Sequence, residues 1–280
     1  MAKIIAMVNQ KGGVGKTTSA INLAACLAVA EKRTLLIDLD PQGNASVGVG
    51  LDREKYAEKN IYHVLIGKYS MSEAICHTEL PNFDVCPSDN NLIGAEIELV
   101  SEFAREAKLK NAFNDVLGAY DYILIDCPPS LGLLTVNALN AATGYIVPLQ
   151  TEYFAMEGFA QLESTVRLIK SSLNPSLKRE GILLTMFDAR NNLHKQVAAQ
   201  MQEHFTESVY KTVIPRNVKL SECPSFGKPV ILYDIESRGS TAYLALAKEI
   251  IVQHHSDEQA IGKNSLNLEQ TQEDLEHPTY

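Results

Sequence analysis

The sequence predicts an α/β fold: a doubly wound, mostly parallel sheet with helices on both faces. Three observations carry this. Strand-like and helix-like segments alternate along the 280 residues. The strand-like segments are short and continuously apolar, as strands covered on both faces are. The segments between them are amphipathic at helical spacing, which is the pattern of helices that cover such a sheet.

Taken in order, Lys3–Asn9 reads as a buried strand and Lys16–Ala30 as a helix. Thr34–Asp38 is a second strand, and residues 41–60 form a loop that leads into a helix. A helix is expected over Ile61–Ile75, a short strand over Phe83–Cys86, and one or two charged helices over Leu92–Leu117. Tyr122–Asp126 is a strand stopped by Pro128 and Pro129, followed by a helix over Leu131–Ala141 and a strand over Gly144–Leu149. The helix Ala155–Ser172 ends before Pro175. Beyond it a strand is predicted over Gly181–Phe187, a helix over Leu193–Phe205, a strand over Val209–Ile214 and a last helix over Ser237–Val252. No linker-like stretch or repeat divides residues 1–252, so they read as one domain. Residues 253–280 are polar and acidic and are expected to be disordered or loosely docked.

Composition narrows the function classes. No apolar run approaches the roughly 18 residues that a membrane span requires. The N-terminus enters a strand at once, with no basic region and apolar stretch of the kind that marks a secretory signal. Five scattered cysteines with no CxxC pair read as reduced thiols in a cytoplasmic protein rather than a disulfide framework or zinc site. The net charge of −9 looks unfavourable for a partner such as nucleic acid, but it is unevenly distributed. Residues 1–159 carry 12 Lys and Arg against 19 Asp and Glu, residues 160–251 carry 12 against 9, and residues 252–280 carry 1 against 6. A basic surface on the 160–251 segment is compatible with this.

The strongest chemical signal is Lys11-Gly12-Gly13-Val14-Gly15-Lys16-Thr17-Thr18, set between a predicted strand and a predicted helix. Glycines let a backbone wrap an anion with its N–H groups inward, and the helix that follows directs its positive end at the same anion. Lys16 is the candidate for the β- and γ-phosphates, and the Thr17 hydroxyl for Mg²⁺. The usual spacing GxxxxGK[ST] would place a glycine at position 10, where this chain has Gln10, and Lys11 is an additional cation.

Two acidic motifs follow strands. Asp38-Leu39-Asp40-Pro41-Gln42-Gly43-Asn44 ends the second strand, and Asp40 is the candidate both for Mg²⁺, with Thr17 and Asp126, and for positioning the attacking water beside it. Tyr122-Ile123-Leu124-Ile125-Asp126 is an apolar strand closed by a carboxylate, the form that holds Mg²⁺ in phosphate-loop NTPases. Cys127 reads as a small neutral residue and not as a nucleophile.

These motifs together resemble the deviant Walker A ATPases and, within them, the ParA/Soj branch of partition ATPases. Met186-Phe187-Asp188-Ala189-Arg190, Ile214-Pro215-Arg216-Asn217-Val218-Lys219-Leu220-Ser221-Glu222 and Pro224-Ser225-Phe226-Gly227-Lys228-Pro229 support that branch, and the likeness runs from about residue 2 to 251. The chain resembles the short members that lack an N-terminal DNA-binding extension. The resemblance implies an ATP hydrolase with ATP and Mg²⁺ as cofactors, weak alone and stimulated by a DNA-bound ParB-like partner. It implies a homodimer sandwiching two ATP molecules, with Lys11 reaching the partner's phosphates and Gly12 at the closest approach. Pro215 and Asn217 resemble the residues flanking adenine. Non-specific double-stranded DNA is the implied ligand of the ATP-bound dimer, with a cytoplasmic, nucleoid-associated location and a role in chromosome or plasmid segregation. Arg190, Arg216, Lys219, Lys228 and Arg238 are the candidate phosphate contacts.

Three alternatives make different demands. A MinD-like membrane-associated ATPase needs a basic amphipathic C-terminal helix, whereas Gln253–Tyr280 carries one Lys and six acidic residues. A protein similar to the nitrogenase iron protein needs cysteines facing a shared cluster, and only Cys127 lies near the site. A bacterial tyrosine kinase carries a C-terminal tyrosine cluster, whereas Tyr280 stands alone.

Overall fold

A computed structural model describes residues 2–152, 155–206 and 208–256. Its strands are β1 (Lys3–Met7), β2 (Thr34–Asp38), β3 (Cys76–His77), β4 (Phe83–Cys86), β5 (Tyr122–Asp126), β6 (Gly144–Gln150) and β7 (Lys178–Thr185). They form one sheet in the order β3-β4-β2-β5-β1-β6-β7. Every pairing is parallel except β3 with β4. The expected doubly wound sheet is therefore the observed one.

The pleat explains why the strands read as unbroken apolar runs. In β1 and the residue that follows it, Ile4, Ala6 and Val8 face one core, while Ile5 and Met7 face the other. Leu35 and Ile37 against Leu36, and Ile123 and Ile125 against Leu124, repeat this division. The first core is closed by Leu134, Leu139, Phe159 and Leu162 among others. The second is closed by the helix α1 (Lys16–Val29) and by Tyr243, Leu246 and Ile250 of the helix at 238–256.

Local chemistry corrects several boundaries. The helix expected over Ile61–Ile75 covers only Ile61–Leu65, because Gly67 turns the chain at φ 78°. A single 3₁₀ turn at Ser72–Ala74 and the antiparallel edge strand β3 occupy what remains. Leu92–Leu117 is broken into Leu92–Glu98, Lys108–Ala112 and short turns, with Ala104 at φ 51° between them. Val209–Ile214 is not a strand. It runs beside β7 with bridges only at Ile182–Val209 and Phe187–Pro215. The reason is diverted donors: the N–H groups of Lys211 and Thr212 donate to the Glu249 carboxylate at 2.8 and 3.0 Å, not to the sheet.

The last helix runs over 238–256, so the expected boundary at 252 falls inside it. His254 explains the extension. Its Nε2 lies 2.8 Å from Glu180 Oε2 and its Nδ1 3.2 Å from the Tyr122 hydroxyl, and its ring stacks on Tyr122. Both His254 and Glu180 are buried. His254→Ala leaves a buried carboxylate without this partner, and the expected cost is about 2–4 kcal/mol, read as a lower urea midpoint. A midpoint within error of the parent would place that contact outside the folded unit. Residues 257–280, on which the MinD-like alternative turns, lie outside the described residues. No described helix is long and apolar enough to cross a membrane.

Candidate functional site

The C-terminal ends of β1, β2, β5 and β7 converge on one cavity of about 650 Å³. Gly12, Gly13, Lys16, Thr17 and Asp40 line it. The loop after β1 is shaped by Gly13 at φ 74° and Gly15 at φ 87°, a left-handed conformation that favours glycine. Gly15 is the N-cap of α1, so the first turn of that 14-residue helix opens onto the cavity. Two side chains missed from sequence pin the loop from outside. Thr185 Oγ1 donates to the Val14 carbonyl at 2.8 Å. Asn9 donates through Nδ2 to the Pro148 carbonyl at 2.7 Å and accepts the Lys11 N–H at 3.0 Å.

The loop's two lysines have opposite fates. Lys16 is 6% exposed, and its Nζ donates to the Lys11 carbonyl at 3.2 Å. Burial lowers its pKa below the usual lysine value, against the pull of Asp126, Cys127 and Asp40. The Lys11 side chain is 54% exposed on the rim and forms an ion pair with Glu152. Nothing lies within 4 Å of the position a Cβ would take at Gly12 or Gly13, so the loop is open at both glycines.

Three carboxylates meet opposite Lys16. Asp38 and Asp126 are register neighbours on β2 and β5, and both are fully buried. Asp38 Oδ2 accepts from the Ser46 N–H at 2.8 Å and the Ser46 hydroxyl at 2.7 Å, and Oδ1 accepts from the Asp40 N–H at 3.3 Å. Burial nonetheless pushes Asp38 up to about 6. Asp40 Oδ1 accepts from the Gln42 N–H at 3.0 Å. Ser46 also accepts from the Ser88 N–H at 3.0 Å, tying this turn to the loop after β4. Sequence reasoning missed Ser46, because a serine six residues past a candidate acid has no signature of its own.

Asp126 differs from its neighbours. Neither of its buried oxygens has a hydrogen-bond partner of standard geometry among the described residues. Burial, then the Asp38 charge, raises its pKa well above the carboxylate range, while the Thr17 hydroxyl and Lys16 act in the other direction. A buried carboxylate in this condition fits a hard divalent cation with oxygen ligands. No group of three or more His, Cys, Asp or Glu among the described residues could hold a metal. A cation here would thus need ligand oxygens of its own, as phosphates supply. Cys127 is 1% exposed and burial pushes its thiol well up, as a small neutral filler requires. It packs within the first hydrophobic core. All five cysteines are free thiols.

A second cavity of about 150 Å³ adjoins the first and shares Gly15, Thr18 and Met186 with it. Pro215 and Asn217 are among the residues that line it. Asn217 also accepts the Lys219 N–H at 2.8 Å, capping the helix Val218–Glu222. Met186, held at φ 50°, lies between the two cavities.

The five candidate DNA contacts separate. Arg190, Arg216 and Arg238 surround one hollow of about 300 Å³, which shares Pro215 and Arg216 with the second cavity. Lys219 lies elsewhere, paired with Glu222 at 3.0 Å and over the Tyr233 ring. Lys228 lies 3.8 Å from Glu79.

Comparison with known proteins agrees with this geometry. Residues 2–179 match the AAA domain family. The chain is 55% identical over 250 residues to the sporulation initiation inhibitor protein Soj of Bacillus subtilis, covering 89% of this chain and 98% of that protein. It is 53% identical over 251 residues to the chromosome partitioning protein ParA of Myxococcus xanthus, covering 90% and 88%. Among solved structures, cobyrinic acid a,c-diamide synthase from Mycobacterium smegmatis with bound ATP analog and magnesium superposes with a TM-score of 0.81. The two are 34% identical, over 92% of this chain and 97% of that one.

Proposed function

The chain belongs to the ParA/Soj family of chromosome-partitioning ATPases, and we propose that it works as an ATP-gated dimer that holds DNA and releases it on hydrolysis. Its cofactors are ATP and Mg²⁺. Lys16 and the first turn of α1 take the β- and γ-phosphates, and Thr17 and Asp126 hold Mg²⁺ together with phosphate oxygens. The metal's contribution, when bound, is to neutralise charge on the phosphates. Val14 and Thr18 complete the loop that cradles them, and Pro215 and Asn217 flank the base. Asp40 orients the attacking water.

One observation carries the dimer: Lys16 is inside the phosphate cavity while Lys11, on the same loop, stays outside it, 54% exposed. A cation on the rim of an open glycine face is suited to a second nucleotide presented by a second copy, where it offsets repulsion between two triphosphates. DNA binds through phosphate contacts without reading sequence. Arg190, Arg216 and Arg238 are the principal contacts because they share a hollow; Lys219 and Lys228 are secondary because they lie apart from it. Intrinsic hydrolysis is weak, and a DNA-bound ParB-like partner stimulates it. The protein is cytoplasmic and rides on the nucleoid.

The test is mass by light scattering. The 30.8 kDa chain should double its mass with ATP and not with ADP. Gly12→Val should bind ATP and stay monomeric. A Cβ at residue 12 meets nothing within 4 Å in one copy, so the protomer itself has room for it, and retained ATP binding by the variant separates a clash with the partner from one with the nucleotide. Dimerisation of Gly12→Val with ATP would rule out the sandwich.

A further inference from the structure

The hollow of three arginines also contains an acid. Asp188 Oδ1 accepts from Arg190 Nε at 3.1 Å and Oδ2 from Arg190 Nη2 at 2.9 Å. Oδ1 accepts the Arg190 backbone N–H as well, at 2.9 Å. The Asp188 N–H donates to His194 Nδ1 at 3.0 Å, which anchors the turn to the helix Asn192–His204. Arg216 and Arg238, across the hollow, form no ion pair among the described residues. One arginine of the three is therefore occupied and two are not.

We infer that Asp188 is a built-in competitor for the DNA phosphate: it occupies Arg190 until a phosphodiester oxygen displaces it, and so sets how tightly DNA is held. This rests on the DNA reading above and names what regulates that site. The geometry suits displacement. The Arg190 side chain is 91% exposed, so it can turn to a new anion without unpacking anything. Its hydrogen bonds hold the Asp188 carboxyl well below the usual carboxylate range, so the competitor is an anion at any working pH. An exposed pair is weak, which makes the competition adjustable and not a lock. The hollow adjoins the base cavity along Pro215 and Arg216. The Phe187 carbonyl accepts the Arg216 N–H at 3.1 Å, and the Phe187 N–H donates to the Ile214 carbonyl at 3.0 Å. The residue that precedes Asp188 is thus bonded directly to the wall of the base cavity.

The sign of the expected effect separates competition from a structural role, because loss of a merely structural residue weakens binding. Asp188→Asn removes the charge and keeps an acceptor for the Arg190 N–H. Measured by fluorescence anisotropy on a random-sequence duplex, with ATP and across a salt series, it should bind about 3–10-fold tighter. The slope of log K against log salt should steepen by about 0.9, one phosphate's worth. Arg190→Ala should weaken binding, and the double variant should lose the gain. Asp188→Ser carries the same expectation if the unfolding midpoint of Asp188→Asn shows a fold defect. Binding by Asp188→Asn no tighter than the parent, with Arg190→Ala weakened, overturns the competition and spares the seat. Unchanged binding by Arg190→Ala overturns the seat, and the inference with it.

Discussion

Lys16→Ala is expected to lower ATP turnover by at least about a hundredfold and to weaken Mg·ATP binding at the same time. The double effect follows from where the ammonium sits. Lys16 is buried beside Asp126 and Asp40, and its ammonium donates to the Lys11 carbonyl. Without it, a triphosphate would enter a cavity whose nearest fixed side-chain charges are carboxylates. Lys11 cannot substitute, because it is on the rim and paired with Glu152. A fluorescent ATP analogue titration and a phosphate-release assay give the two readouts. Parental turnover in Lys16→Ala would mean that this cavity is not where the phosphates bind.

How much of this was legible in the sequence depends on the distance over which a feature is built. The loop from Lys11 to Thr18 is contiguous, so its turns are legible in its own glycines, while the Thr185 and Asn9 bonds that pin it are not. Asp40 and Asp126 were legible for a different reason: parallel strands bring their carboxyl ends to one edge, and each motif ends a strand. Their register, Asp38 beside Asp126, follows from that topology. Features built by long-range partners were not legible. The diversion of the Lys211 and Thr212 donors depends on Glu249, and the extension of the last helix depends on Glu180. Five basic residues looked equivalent because exposure and pairing are not local properties. The partner of Lys228 is Glu79, far back in the sequence, while Arg190 meets its counter-ion two residues away. That last pair lies within Met186–Arg190; its meaning needs the hollow around it.

Asp40→Ala should lower hydrolysis about 10²–10⁴-fold, the range for loss of a group that orients or activates the nucleophile, while ATP binding is kept or strengthened. The electrostatics make these effects separable. Asp40 adds to the crowding that raises Asp38 and Asp126, so removing it relieves repulsion in a cavity about to receive an anion. Asp126 is different: on the proposed reading its orphaned oxygens hold the cation, and its loss should weaken Mg·ATP binding itself. Asp40 shares only one oxygen with the backbone, at Gln42, so the turn keeps the Ser46 bonds to Asp38 when the side chain is cut back. The variant should therefore accumulate as the ATP-bound dimer and keep DNA long after the parent has released it. Single-turnover phosphate release together with light scattering tests both halves. If Asp40→Ala hydrolyses ATP at the parental rate, the water-positioning role belongs to another group. If it no longer binds ATP, Asp40 holds the loop and not the water.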